Sequence, residues 1–301
     1  MENDFVAWLC GRQRKLPGTI ETGIGDDAAV LSPNSRIVVA TDSIASGTHF
    51  LETESLTRVG RKALAVNLSD MAAMGAKPFA ATVAFQIPSG FELSQVQEIY
   101  CGIEQIANEF AVSIVGGDTN RWDGGLVVSV TVIGTPYKNR LWKMDAAKVG
   151  DVILVSGDFG GSILGKHLDF QPRVKLAEYL TQHHNVSAAT DVSDSLSTDL
   201  YGLAAASKLG FEIEIKHVPV SDAAHELAAG SGKTALEHAL SDGEDFELIV
   251  CASELDASKM LGDPTLPTKL TRIGKMTAEQ NFVTIDDAGQ HRPLTIRGYE
   301  H

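Results

Sequence analysis

The sequence predicts an α+β protein built from two domains, each a mixture of strands and helices. Three observations carry that reading: apolar alternation and helical spacing interleave along the chain, a turn-rich stretch interrupts them near the middle, and the same mixture restarts beyond it. In order, residues 36–40, 80–87, 114–115 and 126–133 alternate as strands, and 56–74 and 93–110 repeat apolar residues at helical intervals. The stretch from Gly134-Thr-Pro-Tyr-Lys-Asn-Arg140 to Lys148-Val-Gly-Asp151 is rich in turn formers, so the junction falls within 134–150 and the domains run 1–138 and 139–301. The second half opens with a strand at 151–156 and a Gly-rich turn. Helices at 161–169, 173–183 and 195–209 follow, with strands near 211–215, 246–251, 271–275 and 282–285.

With 301 residues, 44% of them hydrophobic, the chain can bury a substantial core in each half. The 39 acidic side chains outnumber the 25 Lys and Arg, for a net charge of −14. Such a surface repels a nucleic-acid backbone or an anionic membrane unless basic residues segregate into a patch, and none does. No run of apolar residues is long enough to span a bilayer, and no basic start leads into an apolar stretch. The chain therefore reads as cytoplasmic. Cys10, Cys101 and Cys251 are too few and too far apart for a zinc site or a disulfide framework, so they read as reduced core thiols.

The acidic excess is clustered. Carboxylates recur beside Gly, Ser or Thr in Gly25-Asp26-Asp27, Thr41-Asp42-Ser43, Ser69-Asp70, Gly116-Gly117-Asp118, Asp191-Val-Ser193-Asp194 and Gly243-Glu244-Asp245. Small neighbours let a ligand or backbone come close, and carboxylate oxygens are hard donors suited to Mg²⁺. Each cluster alone also reads as a helix cap or a turn. Asp42 and Asp118 stand out because each follows an apolar strand, reading as its end, where α/β and α+β proteins place chemistry. Asn67 and Asp70 fall on one helical face, and a carboxylate there needs a cation or donors. Several carboxylates converging on one cleft repel a polyphosphate unless divalent ions lie between them.

Other motifs lead elsewhere or nowhere. Gly230-Ser-Gly232-Lys233-Thr234 lacks the first Gly of a P-loop, since Leu227 stands there, and it follows a helical pattern from Asp222. Gly157-Asp-Phe-Gly160-Gly161-Ser162 follows a strand and opens a helix, where backbone N–H groups can meet an anion. His183-His184 reads as solvated. No Ser, His and Asp hydrolase arrangement emerges from the spacing, and a Gly-x-Ser-x-Gly elbow is absent.

In this order the clusters resemble the thiamine-monophosphate kinase family, in the superfamily of aminoimidazole ribonucleotide synthetase and selenophosphate synthetase. The matching motifs are Gly23-Ile-Gly-Asp-Asp27, Thr41-Asp42 with Gly47-Thr-His49-Phe50, Ala65-Val-Asn67-Leu-Ser-Asp70-Met-Ala-Ala-Met-Gly75, Val115-Gly-Gly-Asp118-Thr119, Asp191-Val-Ser-Asp194 and Ser241-Asp-Gly-Glu244-Asp245. They run from about residue 20 to Gly298-Tyr299. The resemblance implies a two-domain, aminoimidazole ribonucleotide synthetase-like fold, a homodimer through the N-terminal sheet, and transfer of the ATP γ-phosphoryl group to thiamine monophosphate. It implies that Asp27, Thr41, Asp42, Asp70, Asp118, Asp191 and Asp194 hold several Mg²⁺ ions, and that Gly117, Asp118, Ser193, Tyr100 and Lys143 meet ATP. It further implies that His49, Glu244 and Tyr299 face thiamine monophosphate. The sequence departs from the family at Ser195, where Gly is usual, and at Met144, where members carry an Arg, so Lys143 or Arg140 substitutes there. The alternatives are a sister ATP-dependent synthetase and a non-catalytic nucleotide-binding relative. The acceptor's phosphate, with a second pKa of about 6, is already an anionic nucleophile at neutral pH, so the residue set needs no general base.

Overall fold

The computed structural model describes residues 8, 12, 18–22, 30–31, 33–295 and 298, and the expected site residues Asp27 and Tyr299, like Cys10, lie outside them. The chain forms two compact units, Met1–Met71 with Ala76–Asn139, and Ala72–Gly75 with Arg140–His301.

The first unit begins with the short pair β1 (Ile20–Thr22) and β2 (Val30–Leu31). Its main sheet holds β3 (Val38–Ala45), β4 (Ala76–Pro88), β5 (Ser113–Trp122) and β6 (Val127–Pro136) in the order β3-β6-β4-β5. β3–β6 and β4–β6 pair antiparallel, and β4–β5 pair parallel. The parallel pair is joined by helix α2 (Leu93–Glu109), as a crossover connection requires. Strict alternation of buried and half-exposed residues along β6 gives the sheet one buried and one open face. Helix α1 (Leu56–Ala73) packs on α2 at close range: a Cβ on Gly60 would fall on the Ile99 carbonyl, and one on Gly102 on that of Thr57. The α2 start is stapled by the Gln95 side chain accepting from the Glu92 N–H.

The second unit is a seven-stranded sheet in the order β13-β12-β9-β11-β7-β10-β8. Its strands are β7 (Val152–Ser156), β8 (Ala188–Asp191), β9 (Gly210–Glu214), β10 (Leu248–Ala252), β11 (Leu270–Thr277), β12 (Phe282–Ile285) and β13 (His291–Pro293). All pairs are antiparallel except β9–β12. β7, β10 and β8 are buried throughout, which explains the near-continuous apolar runs of β7 and β10. The helices are α3 (Lys166–Asp169), α4 (Val174–His183), α5 (Leu196–Ala206), α6 (Asp222–Ser231), α7 (Ala235–Ser241) and α8 (Glu254–Leu261). α5 and the sheet close one core through Leu196, Leu200, Leu203, Phe211, Ile249 and Ile273. α6, α7 and α8 start on Ser221, Thr234 and Ser253, each accepting from a backbone N–H three residues on.

Three expectations change. β3 and β5 continue well past Asp42 and Asp118, so neither aspartate ends its strand. His184 is half-buried, and its Nε2 lies 3.0 Å from Asp263 Oδ2. The helix expected over 161–169 is a 3₁₀ turn followed by the four-residue α3, interrupted at Gly165. No helix among the described residues is long and apolar enough to cross a membrane.

Candidate active site

In the first unit, register decides which site residues meet. Asp42 pairs through Val130 and Val83 to Gly117, along a row whose two valines are buried. It therefore points to the face from which α1 brings Asp70, and the two carboxyls are hydrogen-bonded to each other. Burial pushes the Asp42 carboxyl up, against the opposing pull of the Asp70 hydrogen bond and of His49. Two carboxyls hydrogen-bonded to each other require a shared proton or a cation.

His49 stands on the turn after β3, its Nδ1 accepting the Ala45 N–H at 3.1 Å, which leaves the proton on Nε2 when the ring is neutral. Lys62, fully buried on α1, donates to the His49 carbonyl at 2.8 Å and so ties that turn to the helix. Nothing in the helical pattern marks Lys62 as buried. One turn before Asp70, Asn67 is also fully buried. Its amide donates to the Ala63 carbonyl, while its Oδ1 has no hydrogen-bond partner.

Thr41 and Asp118 lie on the other face. The Thr41 hydroxyl donates to the Val130 carbonyl and lies 2.9 Å from Thr131 Oγ1. Asp118 shares a register row with Ala84, Ser129 and Ser43, is exposed, and accepts from the Asn120 amide. β3 and β5 are opposite edges of the sheet, three strand spacings of about 4.8 Å apart, or roughly 14 Å. Within one chain the structure thus joins Asp42 to Asp70 and does not bring Asp118 to them. Gly117 has no space for a side chain, since a Cβ would lie 1.9 Å from the Val83 oxygen. Tyr100 is buried on α2, edge-on to Trp8 with centroids 5.4 Å apart, so its ring is packed inside the helix layer.

In the second unit Asp191 ends β8, and Ser193 and Asp194 form the turn into α5. Ser195 is the cap of α5, its Oγ accepting from the Thr198 N–H at 3.0 Å. Its backbone is extended, with φ 174°, so the family's Gly is not required there. Asp199, absent from the motif reading, is central: its Oδ2 accepts from the Asp194 and Ser195 N–H groups at 3.0 and 3.1 Å. Burial pushes it up to about 7 against those two bonds, and the charges of Asp191 and Asp194 push the same way. An acid in the first turn of a helix is so ordinary that only its neighbours reveal it.

The 242–247 loop is tied to that turn. The Glu244 N–H donates to the Ser193 carbonyl at 2.6 Å, and the Phe246 N–H to the Val192 carbonyl at 2.8 Å. Glu244 itself sits at φ 59°, a strained value for a non-glycine, and its Oε2 lies 3.3 Å from His167 Nδ1. On the other side the Gly-rich turn is consumed: Gly160 N–H donates to Asp245, Gly161 N–H to Asp242 Oδ2, and Ser162 Oγ to the Gly243 carbonyl. Those N–H groups hold the acidic loop and are not free for an anion.

Beneath the loop lies a buried ionic cluster. Arg173 grips Glu247 through two bonds, Ser156 donates to it at 2.6 Å, and Lys166 lies 3.2 Å from Glu247 and 3.5 Å from Asp245. Burial opposes ionisation of Glu247, but Arg173 and Lys166 outweigh it and hold the carboxyl low. Asp245, whose partner Lys166 is shared, is pushed up to about 7 by burial. Lys143 is exposed, before a short turn at Met144–Ala146.

One unexpected line is Ser231, His238 and Asp242, with Ser231 Oγ 2.6 Å from His238 Nε2 and His238 Nδ1 2.9 Å from Asp242 Oδ2. The sequence spacing concealed it. Ser231 stands at the negative end of α6 and its Oγ accepts from the Lys233 N–H, both of which oppose an alkoxide. The line instead anchors Asp242, and through it the Gly161 N–H.

The donor chemistry fits Mg²⁺: a contacting pair of carboxylates on an otherwise apolar face, with the orphaned Asn67 oxygen one turn away. Among the described residues no group of three or more His, Cys, Asp or Glu converges as a metal-binding set.

Residues 25–135 match the N-terminal domain, and residues 148–287 the C-terminal domain, of AIR synthase related protein. The thiamine-monophosphate kinase of Rhodopirellula baltica is 44% identical over 286 residues, covering 92% of this chain and 89% of that one. That of Escherichia coli K12 is 32% identical, covering 100% and 98%. Among solved structures, thiamine-monophosphate kinase from Stenotrophomonas maltophilia K279a superposes with a TM-score of 0.78 at 32% identity, covering 96% of each chain. AaThiL complexed with AMPPCP and TMP gives 0.79 at 25% identity, covering 100% and 96%. A hydrogenase maturation protein, HypE from E. coli, gives 0.82 at 20% identity, covering 100% and 98%, which shows the shared fold alone. Motif order, fold and identity over nine-tenths of the sequence agree, and this chain belongs to the thiamine-monophosphate kinase family of phosphotransferases.

Proposed function

We propose that this protein transfers the γ-phosphoryl group of ATP to thiamine monophosphate, giving thiamine diphosphate and ADP by a direct in-line displacement. The observation that carries the reading is the Asp42–Asp70 carboxyl pair, two family-motif aspartates in contact and suited to sharing a cation. The relatives' activity and the AMPPCP and TMP held by AaThiL support it.

An acceptor oxygen of the monophosphate forms the new bond to the γ-phosphorus as the bond to the β-bridging oxygen breaks, and the electron pair leaves with ADP. No proton has to be removed from the acceptor. Bound Mg²⁺ supplies neutralisation of charge between the two phosphates. The chain's own residues hold and orient: Asp42 and Asp70, with Asp27, Asp191 and Asp194, hold the cations. Gly117, Ser193 and Lys143 meet the nucleotide. His49, Glu244 and Tyr299 face the acceptor, with the Glu244 carboxylate suited to its cationic ring.

The protein acts as a homodimer through the N-terminal sheet. The open face carrying Val39, Thr41, Ser43, Ser129 and Thr131, together with the edge positions of β3 and β5 among the described strands, supports this. Setting β5 of one protomer along β3 of the other brings Asp118 and Gly117 of one protomer toward Thr41 and Asp42 of its partner, a proximity a single chain does not provide. The site operates in the cytoplasm.

The reading is tested by incubating the protein with ATP, Mg²⁺ and thiamine monophosphate, with free thiamine as the control acceptor. Thiamine diphosphate and ADP in equal amounts, with no product from thiamine, support it. Bound nucleotide with neither product contradicts it and points to a sister synthetase or a binding protein.

A further inference from the structure

We propose that Asp199 is a positioning residue, which acts through the backbone to fix the turn carrying Ser193 and Asp194 for the metal-bound nucleotide. This rests on the reading above that Asp191, Ser193 and Asp194 meet that nucleotide.

Asp199 lies in the first turn of α5, and its Oδ2 takes the N–H groups of both Asp194 and Ser195. These lie at the start of the helix, where backbone donors lack partners within it. The turn is held on its far side as well, by the Glu244 and Phe246 N–H groups on the Ser193 and Val192 carbonyls. Gly243 packs so closely that a Cβ would lie 2.7 Å from the Asp194 oxygen. Residues 192–194 are therefore clamped between α5 and the 243–246 loop.

Stability alone does not explain this acid. α5 already has its cap in Ser195, whose Oγ takes the Thr198 N–H. The two bonds of Asp199 therefore come in addition to that cap, and they fall on the backbone of the turn that carries Asp194. Asp199 itself needs no contact with the nucleotide.

The test compares full-length wild type, D199A and D199N. In ligand-free protein, hydrogen exchange at the Asp194 and Ser195 amides is expected to accelerate at least about tenfold in D199A, the size of one lost hydrogen bond. The KM for Mg·ATP is expected to rise by about the same factor, with the KM for thiamine monophosphate within about twofold. D199N, which keeps an acceptor oxygen, is expected to restore both readouts to within about threefold of wild type. Unchanged exchange and unchanged nucleotide KM in D199A overturn the proposal. So does D199N as impaired as D199A, because charge rather than the acceptor would then be responsible. If D199A does not fold, D199Q, with its acceptor displaced by one methylene, gives the same comparison. D194N separates the two levels: an unaltered nucleotide KM in D194N removes the underlying reading, whereas an impaired D194N beside a normal D199A removes only Asp199.

Discussion

Asp42 on β3 and Asp70 on α1 are hydrogen-bonded carboxyl to carboxyl, on a face of the sheet that is otherwise apolar. The burial that raises Asp42 means that folding is opposed whenever both groups ionise without a cation.

Asp42→Asn is accordingly expected to lose at least about 100-fold in turnover, the usual scale for removing one preorganised charge at such a site. The variant should remain folded, with a metal-free melting temperature at neutral pH no lower than that of wild type. Steady-state kinetics and thermal unfolding check both parts. Turnover near wild type would take Asp42 out of the metal site.

Asp245 predicts a pH dependence of stability. Its folded value is raised to about 7, so it contributes stability that is present below its unfolded value and lost as pH rises through about 7. Asp245→Asn keeps an acceptor for the Gly160 N–H and removes the titration. The stability of wild type relative to the variant should fall by on the order of 2 kcal/mol between pH 4 and 8. Urea unfolding across that range measures it, and a flat difference would show that Lys166 keeps Asp245 ionised throughout.

Gly117→Ala places a methyl on the Val83 carbonyl, 1.9 Å from its oxygen. Strand β5 must shift away from β4, at a cost of about 2–4 kcal/mol. Chemical denaturation measures this, and an unchanged midpoint would mean the strand pair gives way easily.

Val39 is 60% exposed on the open face of the first sheet. Val39→Lys is expected to shift the protein from dimer to monomer in light scattering and to lower activity with it. A dimer that persists at micromolar concentration, with full activity, would place the interface elsewhere.

Much of the fold is legible in the sequence because alternation survives wherever one face is buried, as along β4 and β6. It fails for β8, four fully buried residues with no alternation, and for α7 and α8, whose seven and eight residues are too short to show an apolar stripe. Asp42 and Asp118 read as strand ends because Asp and Gly are poor strand formers, yet pairing with β6 and β4 carries both strands onward. The motif order finds the acidic turns and gives no sign of their facing. Thr41 and Asp42 are neighbours in sequence and lie on opposite sides of the sheet, as any two adjacent strand residues do. Asp199, His167 and Lys62 were hidden for a different reason, since each is ordinary locally and becomes distinctive only through the residue it touches. Ser195 shows the converse: a departure from the family pattern that the extended backbone at that position accepts without strain.

The most direct test of the account follows the label from γ-labelled ATP through one turnover with Mg²⁺, with and without thiamine monophosphate. The account predicts label in thiamine diphosphate alone when the acceptor is present, and no labelled protein when it is absent. Label released as inorganic phosphate with no labelled diphosphate, or retained on the protein, would contradict direct transfer.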